Sequence, residues 1–222
     1  MQVIQESKLI NKNGIIILGG TFDPIHNGHI TIATKLYDLF GTPVIFVPTA
    51  APNYKAQPIA SNKQRLDMLK LALDKDPRYI IDESEIFAEK YLPSYYSLSQ
   101  LRNAIGKNKP IYFLIGGDSL VTLDTWDNWQ ELFNLTNFIV ALRPGFDLHK
   151  MPAAIQQEFN DRVVANFADL NQPSGQIYLL ELEPLDLSST QIRDKLAHRQ
   201  AINHLVPGKV ADYLTCNETL LV

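Results

Sequence analysis

Short runs of apolar residues recur along the chain, and longer amphipathic segments separate them. The runs are rich in β-branched and aromatic side chains and are apolar at successive positions. This pattern is typical of strands in a parallel sheet that is covered on both faces. The predicted strands cover residues 14–18, 44–47, 79–81, 111–115, 138–142 and 177–180.

The segments between these runs carry helical patterns. Residues 30–40 place apolar side chains on one face, and Ser61 with Gln64 forms a capping-box pattern ahead of a second helix. Ser97 with Gln100 forms another such pattern, and residues 152–167 open with a proline that suits a first helical turn. The residues 48–61, rich in Pro, Ala and Asn, are predicted to be a flexible loop.

The alternation of strands and helices predicts the fold class. It favours right-handed βαβ units and an α/β, Rossmann-like, doubly wound parallel sheet. We expect a single domain over residues 1–222, with a core at about 14–215.

Composition narrows the classes of protein that remain. The chain has 222 residues, of which 45% are hydrophobic and 20% charged, so it is too apolar to be disordered. Its net charge of -4 argues against bulk electrostatic binding to nucleic acid or to a membrane surface. Any polyanionic substrate would therefore need a local site.

Cysteine usage and the N-terminal segment bear on location. Cys216 is the single cysteine, so no intrachain disulfide can form, which suits a reducing compartment. The first residues lack the apolar stretch of a signal peptide, and the apolar runs are too short to span a membrane. We expect a soluble, cytoplasmic protein.

The first predicted strand leads into a turn that carries candidate chemistry. Residues 19–29 read GGTFDPIHNGH, which is neither the dinucleotide-binding nor the P-loop glycine pattern. His26 and His29, three residues apart at a helix start, lie roughly on one face, and Gly28 between them leaves that surface open. Imidazole donors beside a helix N-terminus can hold triphosphate oxygens and stabilise charge at a phosphorus. A phosphate of a second substrate could then displace pyrophosphate directly, with no protein nucleophile.

Zinc binding is another possible role for the two histidines. Zinc requires a third or fourth protein ligand. The remaining candidates are His149, His198, His204 and Cys216, and they show no ligand spacing.

Two motifs resemble those of a known family. The segment GGTFDPIHNGH resembles the signature of bacterial nicotinate-nucleotide adenylyltransferases, within the superfamily of HxGH nucleotidyltransferases. Residues 187–193, LSSTQIR, resemble the second signature of that family, ISSTxIR, with leucine at its first position. Phosphopantetheine adenylyltransferases are related in reaction, but they typically carry threonine at the first histidine position and have a shorter chain.

Further elements match the same family, in the same order. They are SYYS at 94–97, where Tyr96 replaces the usual threonine; IGGDS at 115–119; Trp126; and RPG at 143–145. Of the two tryptophans, Trp129 is predicted to be the one in the core. The loop after the second strand departs most, because Tyr54 stands where the family has histidine, although Lys55 is kept.

The resemblance implies an enzyme that transfers AMP from ATP to nicotinate mononucleotide. Its small-molecule partners would be these two substrates, and Mg²⁺ would be carried by the ATP phosphates. By resemblance, His26, His29 and Arg193 would be catalytic. The implied ATP-binding residues are Gly20, Thr21, Phe22, His26, His29, Gly116, Asp118, Ser189, Thr190 and Arg193. The implied residues for nicotinate mononucleotide are Lys55, Tyr95, Tyr96, Trp126 and Arg143.

Several alternatives stay open at this stage. The acceptor could be nicotinamide mononucleotide or phosphopantetheine, and the chain could be a nucleotide-binding protein without turnover. The sequence does not fix the oligomeric state, so a homo-oligomer is also open.

Overall fold

A computed structural model describes residues 14–50, 57–142, 145–182 and 187–217. Its strands are β1 (Ile15–Gly20), β2 (Val44–Pro48), β3 (Tyr79–Ile81), β4 (Ile111–Gly116), β5 (Asn137–Leu142), β6 (Val163–Val164) and β7 (Ile177–Glu181). They form a parallel sheet of the α/β, Rossmann-like type, in the order β3-β2-β1-β4-β5-β7-β6. The predicted fold class is confirmed, since the strands run parallel and are flanked by helices.

Helices connect the strands. They are α1 (Asn27–Phe40), α2 (Asn62–Leu73), α3 (Ser94–Ile105), α4 (Gly117–Leu120), α5 (Trp129–Leu135), α6 (Ala153–Arg162), α7 (Ser189–Ala197) and α8 (Gly208–Cys216). Short 3₁₀ turns cover Leu123–Thr125, Leu148–Lys150 and Phe167–Asp169. None of the helices in these residues is long and apolar enough to cross a membrane.

The described residues fall into two compact units. The first contains residues 19–50, 57–91 and 187–217, and the second contains residues 14–18, 92–142 and 145–182. In the first unit β2 pairs with β3, and α2 buries Leu66, Met68 and Leu69. In the second unit Phe138 and Ile139 are fully buried on β5. The single-domain organisation stays a prediction.

All six predicted strands are present, but the helix predicted after the fifth of them is too long. The helix expected over 152–167 ends at Arg162, since the next two residues pair with β7 as strand β6. Val163 and Val164 are β-branched, and pairing with Ile177 and Tyr178 outweighs the local helical pattern.

The two predicted capping boxes have different outcomes. Ser61 caps α2: its side chain accepts the backbone N–H of Gln64, and the Gln64 side chain accepts the N–H of Ser61. The box predicted at Ser97 is wrong, because α3 begins at Ser94 after Pro93 and Ser97 lies within its first turn. The fixed φ of Pro93 starts the helix early.

These two serines give a stability prediction. Replacing Ser61 by alanine should lower the free energy of unfolding by about 1 kcal/mol, because the Gln64 N–H at the start of α2 loses its side-chain acceptor. Ser97→Ala should not lower it, because the buried Ser97 hydroxyl has no hydrogen-bond partner among the described residues and alanine favours a helix. Urea unfolding of both variants measures the difference, and equal losses would contradict this assignment of the caps.

Candidate nucleotide site

The turn after β1 is held by hydrogen bonds to its carbonyl groups. The Gly20 carbonyl accepts the Thr49 N–H at 3.0 Å, and the Thr21 carbonyl accepts from Arg65 at 2.6 Å. The Asp23 carbonyl accepts from Arg193 at 2.6 Å. The Pro24 carbonyl accepts the Ser189 hydroxyl at 2.9 Å. These donors come from the end of β2, from α2 and from α7, so three segments of the first unit fix the path of the turn.

The direction of these carbonyls determines where the neighbouring N–H groups point. The Asp23–Pro24 peptide is cis, but the peptides that follow Gly20 and Thr21 are trans. In a trans peptide the N–H points opposite to the carbonyl. The N–H groups of Thr21 and Phe22 therefore point away from Thr49 and Arg65, and these are two of the backbone donors predicted for ATP.

The buried ring of Phe22 packs against other aromatic rings next to the turn. The residue's φ of 50° lies in the left-handed region, which is costly for a residue with a side chain, and the ring is 2% exposed. The ring meets His29 edge-on at 5.0 Å between centroids and packs at 5.6 Å against Phe46. A Cβ on Gly20 would lie 3.0 Å from the Phe22 ring, so glycine leaves the space that this ring fills.

His26 and His29 form a stacked pair at the start of α1. Their ring centroids are 3.7 Å apart at an interplanar angle of 21°, so the prediction that they share a face is confirmed. His26 is buried and His29 is half-buried. The backbone N–H of His26 donates to Nδ1 of His29 at 3.2 Å, which leaves the proton of a neutral His29 ring on Nε2. Nε2 of His29 is thereby set up as a donor.

Gly28 has a different role from the one that the sequence suggested. It was expected to leave the surface open, but it is buried, and a Cβ there would lie 3.0 Å from Cε1 and Nδ1 of His26. The glycine therefore makes room for the His26 ring. Asn27 anchors the same helix end, since its backbone and side chain donate to the carbonyls of Leu205 and His204 at 2.9 and 3.1 Å.

The motif at residues 187–193 forms the start of α7 in the same unit. Ser188 is the N-cap, and its side chain accepts the Gln191 N–H in a capping box. Arg193 donates to the Asp23 carbonyl and, at 3.1 Å, to the Thr190 hydroxyl. The structure thus brings the two predicted phosphate motifs together.

Asp23 and Arg65 are buried charged residues that the sequence prediction did not single out. The Asp23 carboxylate accepts the N–H groups of Ile59 and Ala60 at 2.9 and 3.1 Å and lies 3.9 Å from Arg193. Residues 59 and 60 of the predicted flexible loop are therefore anchored. Burial lowers the pKa of the Arg65 guanidinium from its usual value, and the nearby Asp23 carboxylate opposes that change.

A signal for Arg65 does exist in the sequence. Arg65 precedes Leu69 by four residues, so a helix places it on the apolar face. A charged residue on that face needs buried partners.

The remaining predicted residues of the described chain lie in the second unit. Gly116 and Asp118 are exposed at the end of β4 and the start of α4. Tyr95 and Tyr96 form an edge-to-face pair with centroids 5.2 Å apart at the start of α3. Trp126 packs edge-on against Phe113 at 6.4 Å.

Trp129, expected to be the core tryptophan, is half-buried like Trp126, so burial does not separate the two. Tyr54, Lys55 and Arg143 lie outside the described residues.

Comparison with known proteins identifies the family. The sequence pattern described as cytidylyltransferase-like matches residues 17–195. The chain belongs to this family. It is a nucleotidyltransferase.

Individual relatives agree with this assignment. A Chromobacterium violaceum protein named "Probable nicotinate-nucleotide adenylyltransferase" is 40% identical over 200 residues, which are 89% of this chain and 94% of that protein. A Salmonella gallinarum protein of the same name is 37% identical over 202 residues, covering 89% and 94%.

Solved structures share the fold. Nicotinic acid mononucleotide adenylyltransferase of Plasmodium falciparum, complexed with NaAD, matches with a TM-score of 0.71 and 20% identity over 93% of this chain and 97% of that one. The same enzyme complexed with APC matches with a TM-score of 0.66 over the same shares of the two chains.

Gly28 provides a test of the histidine geometry. Gly28→Ala should displace the His26 ring and shift the imidazole NMR resonances of both stacked histidines, because the new methyl group would meet His26 at 3.0 Å. Gly208→Ala is the matched control, since a Cβ there meets nothing within 4 Å. Unchanged His26 and His29 resonances in the Gly28 variant would contradict the geometry.

Proposed function

We propose that the protein transfers AMP from ATP to nicotinate mononucleotide, giving deamido-NAD and pyrophosphate in NAD biosynthesis. The single observation that carries the proposal is that the two predicted phosphate motifs, residues 19–29 and 187–193, are in contact with each other. The stacked pair of His26 and His29 begins α1, and α7 is tied to the turn ahead of them through Arg193 and Ser189. Two relatives of 37% and 40% identity bear the name of this activity.

The proposed chemistry is an in-line displacement. A phosphate oxygen of nicotinate mononucleotide forms a bond to the α-phosphorus of ATP. The bond from that phosphorus to the bridging oxygen of the β-phosphate breaks, and its electron pair leaves with pyrophosphate. The protein contributes positioning and charge stabilisation rather than a nucleophile.

Residues of the first unit are proposed to hold ATP. His29 is suited to donate from Nε2 to a phosphate oxygen, and His26 lies stacked behind it. The N–H groups of Gly20, Thr21 and Phe22 and the first turn of α7, with Ser189 and Thr190, supply further donors. Arg193 adds positive charge; it is partly exposed at 23% although one nitrogen is bonded to Asp23.

Other contacts are proposed from the sequence motifs. Gly116 and Asp118 would contact the adenosine, because a carboxylate suits ribose hydroxyls. Trp126 would stack on the pyridinium ring, for which an indole face is a favourable partner. The remaining residues proposed for nicotinate mononucleotide are Lys55, Tyr95, Tyr96 and Arg143.

Mg²⁺ is proposed to arrive with ATP. No three His, Cys, Asp or Glu side chains come together as metal ligands in the described residues, and the Asp23 carboxylate already accepts two N–H groups. Mg²⁺ commonly binds through substrate phosphates and water, and such an ion would need no dedicated set of protein ligands. It would neutralise phosphate charge during the displacement. The single cysteine supports placing the reaction in a reducing cytoplasm.

The direct test is pyrophosphate release by the purified protein with ATP, Mg²⁺ and nicotinate mononucleotide. Release should depend on the acceptor and should be slower with nicotinamide mononucleotide or phosphopantetheine. ATP binding without release on any of these acceptors would overturn the proposal.

Replacement of His29 tests the role of the histidine pair. His29→Ala should lower kcat by about 10²–10³-fold, because a donor positioned at the developing charge is lost. The exposed His198 is the matched control, and His198→Ala should leave kcat unchanged. Wild-type kcat in a folded His29→Ala protein would remove the histidines from the proposed mechanism.

A further inference from the structure

Arg65 is a buried cation at a position that a core residue would normally fill. It is the largest fully buried side chain in the described residues, and its neighbours Leu66, Met68 and Leu69 belong to the core. An isolated buried charge is unfavourable, and a well-packed apolar side chain is often at least as stable there. Core stability alone therefore gives little reason for an arginine at this position.

The contacts of Arg65 lie at the ends of two strands. Nη1 donates to the carbonyls of Thr21 and Thr49 at 2.6 and 3.0 Å, and Nη2 donates to Oδ1 of Asn62 at 2.7 Å. Thr21 follows β1 and Thr49 follows β2. One guanidinium thus ties the turn after β1 to the end of β2.

These bonds bear on the donor groups of the proposed site. Because Arg65 holds the Thr21 carbonyl, the Phe22 N–H of the same trans peptide points the other way. Phe22 also has a positive φ of 50°, a conformation that persists only where surrounding contacts fix it. Loss of the Arg65 bond would free this peptide to rotate.

We propose that Arg65 is a positioning residue for the nucleotide reaction. It fixes the peptide between Thr21 and Phe22, so that the Phe22 N–H group is presented to the ATP phosphates. This inference rests on the proposed function for the identity of the reaction. It adds a residue outside both motifs and assigns it an effect on ATP binding.

The chain contains a matched control for this idea. Arg102 is a second buried arginine, and its guanidinium donates to the backbone carbonyls of Leu135, Gly106, Lys109 and Pro173. None of these residues is proposed to bind substrate. A role confined to stability would therefore make the two arginines behave alike.

The experiment compares Arg65→Met, Arg65→Lys and Arg102→Met. The readouts are the Kd for ATP with Mg²⁺ by calorimetry, and kcat and KM for pyrophosphate release, each scaled to the folded fraction. Arg65→Met should lower kcat/KM for ATP by about 10²-fold, because a mutation far from the reacting atoms can have an effect of that size when it displaces a positioned group. Arg65→Lys should recover part of the loss, since an ammonium can donate to both carbonyls. Arg102→Met should change stability but neither Kd nor kcat/KM.

Two results would overturn the proposal. One is an Arg65→Met protein whose Kd for ATP and kcat/KM equal those of Arg102→Met. If Arg65→Met does not fold, the other is an Arg65→Lys protein with wild-type values of both. Failure of the wild type to release pyrophosphate would count against the proposed reaction alone, because the Kd for ATP still tests Arg65.

Discussion

The site depends on one constraint, which is that the carbonyl groups of the turn after β1 must be bonded inward. The carbonyls of Gly20, Thr21, Asp23 and Pro24 each accept a hydrogen bond from a different donor group. Buried carbonyls without partners would be costly, so these donors must be present for the turn to keep its path. Once the carbonyls are fixed, the planarity of the trans peptides fixes the opposite direction for the Thr21 and Phe22 N–H groups. The backbone N–H groups that could bind a phosphate are thus oriented by the hydrogen bonds that the carbonyl groups of the same peptides make.

The charged residues around this turn suggest how a chain with a net charge of -4 could attract a polyanion. Asp23, Arg65 and Arg193 lie close together, with two positive charges and one negative, so this cluster carries an excess of one positive charge. The Asp23 carboxylate is occupied by the N–H groups of Ile59 and Ala60, which reduces its repulsion of an approaching phosphate. Charge inside a low-dielectric region acts more strongly than the same charge on the surface. A local field can therefore oppose the sign of the whole protein.

The sequence predicted the strands well and their surroundings less well, for physical reasons. A strand that is buried on both faces, such as Ile111–Gly116, is apolar at every position and needs no partner to be recognised. Val163 and Val164 become a strand only through pairing with β7, which local sequence does not encode. Ser97 with Gln100 has the letters of a capping box, but Pro93 starts the helix one turn earlier. Arg65 was missed because a charged residue in a helical pattern is usually assigned to the solvent-exposed face.

Several residues of the turn motif have a packing reason that is independent of the proposed chemistry. Gly20 leaves room for the Phe22 ring, Phe22 packs under His29, and Gly28 leaves room for His26. The imidazoles themselves are oriented by the backbone, since Nδ1 of His29 accepts the His26 N–H. A change at Gly28 would therefore act on the His26 ring through packing alone, and a change at Gly20 would reach His29 through the Phe22 ring. Residues that are proposed to contact the nucleotide and residues that hold them in place alternate within the eleven positions 19–29. This short stretch therefore specifies a three-dimensional arrangement, whereas an isolated pair of histidines does not.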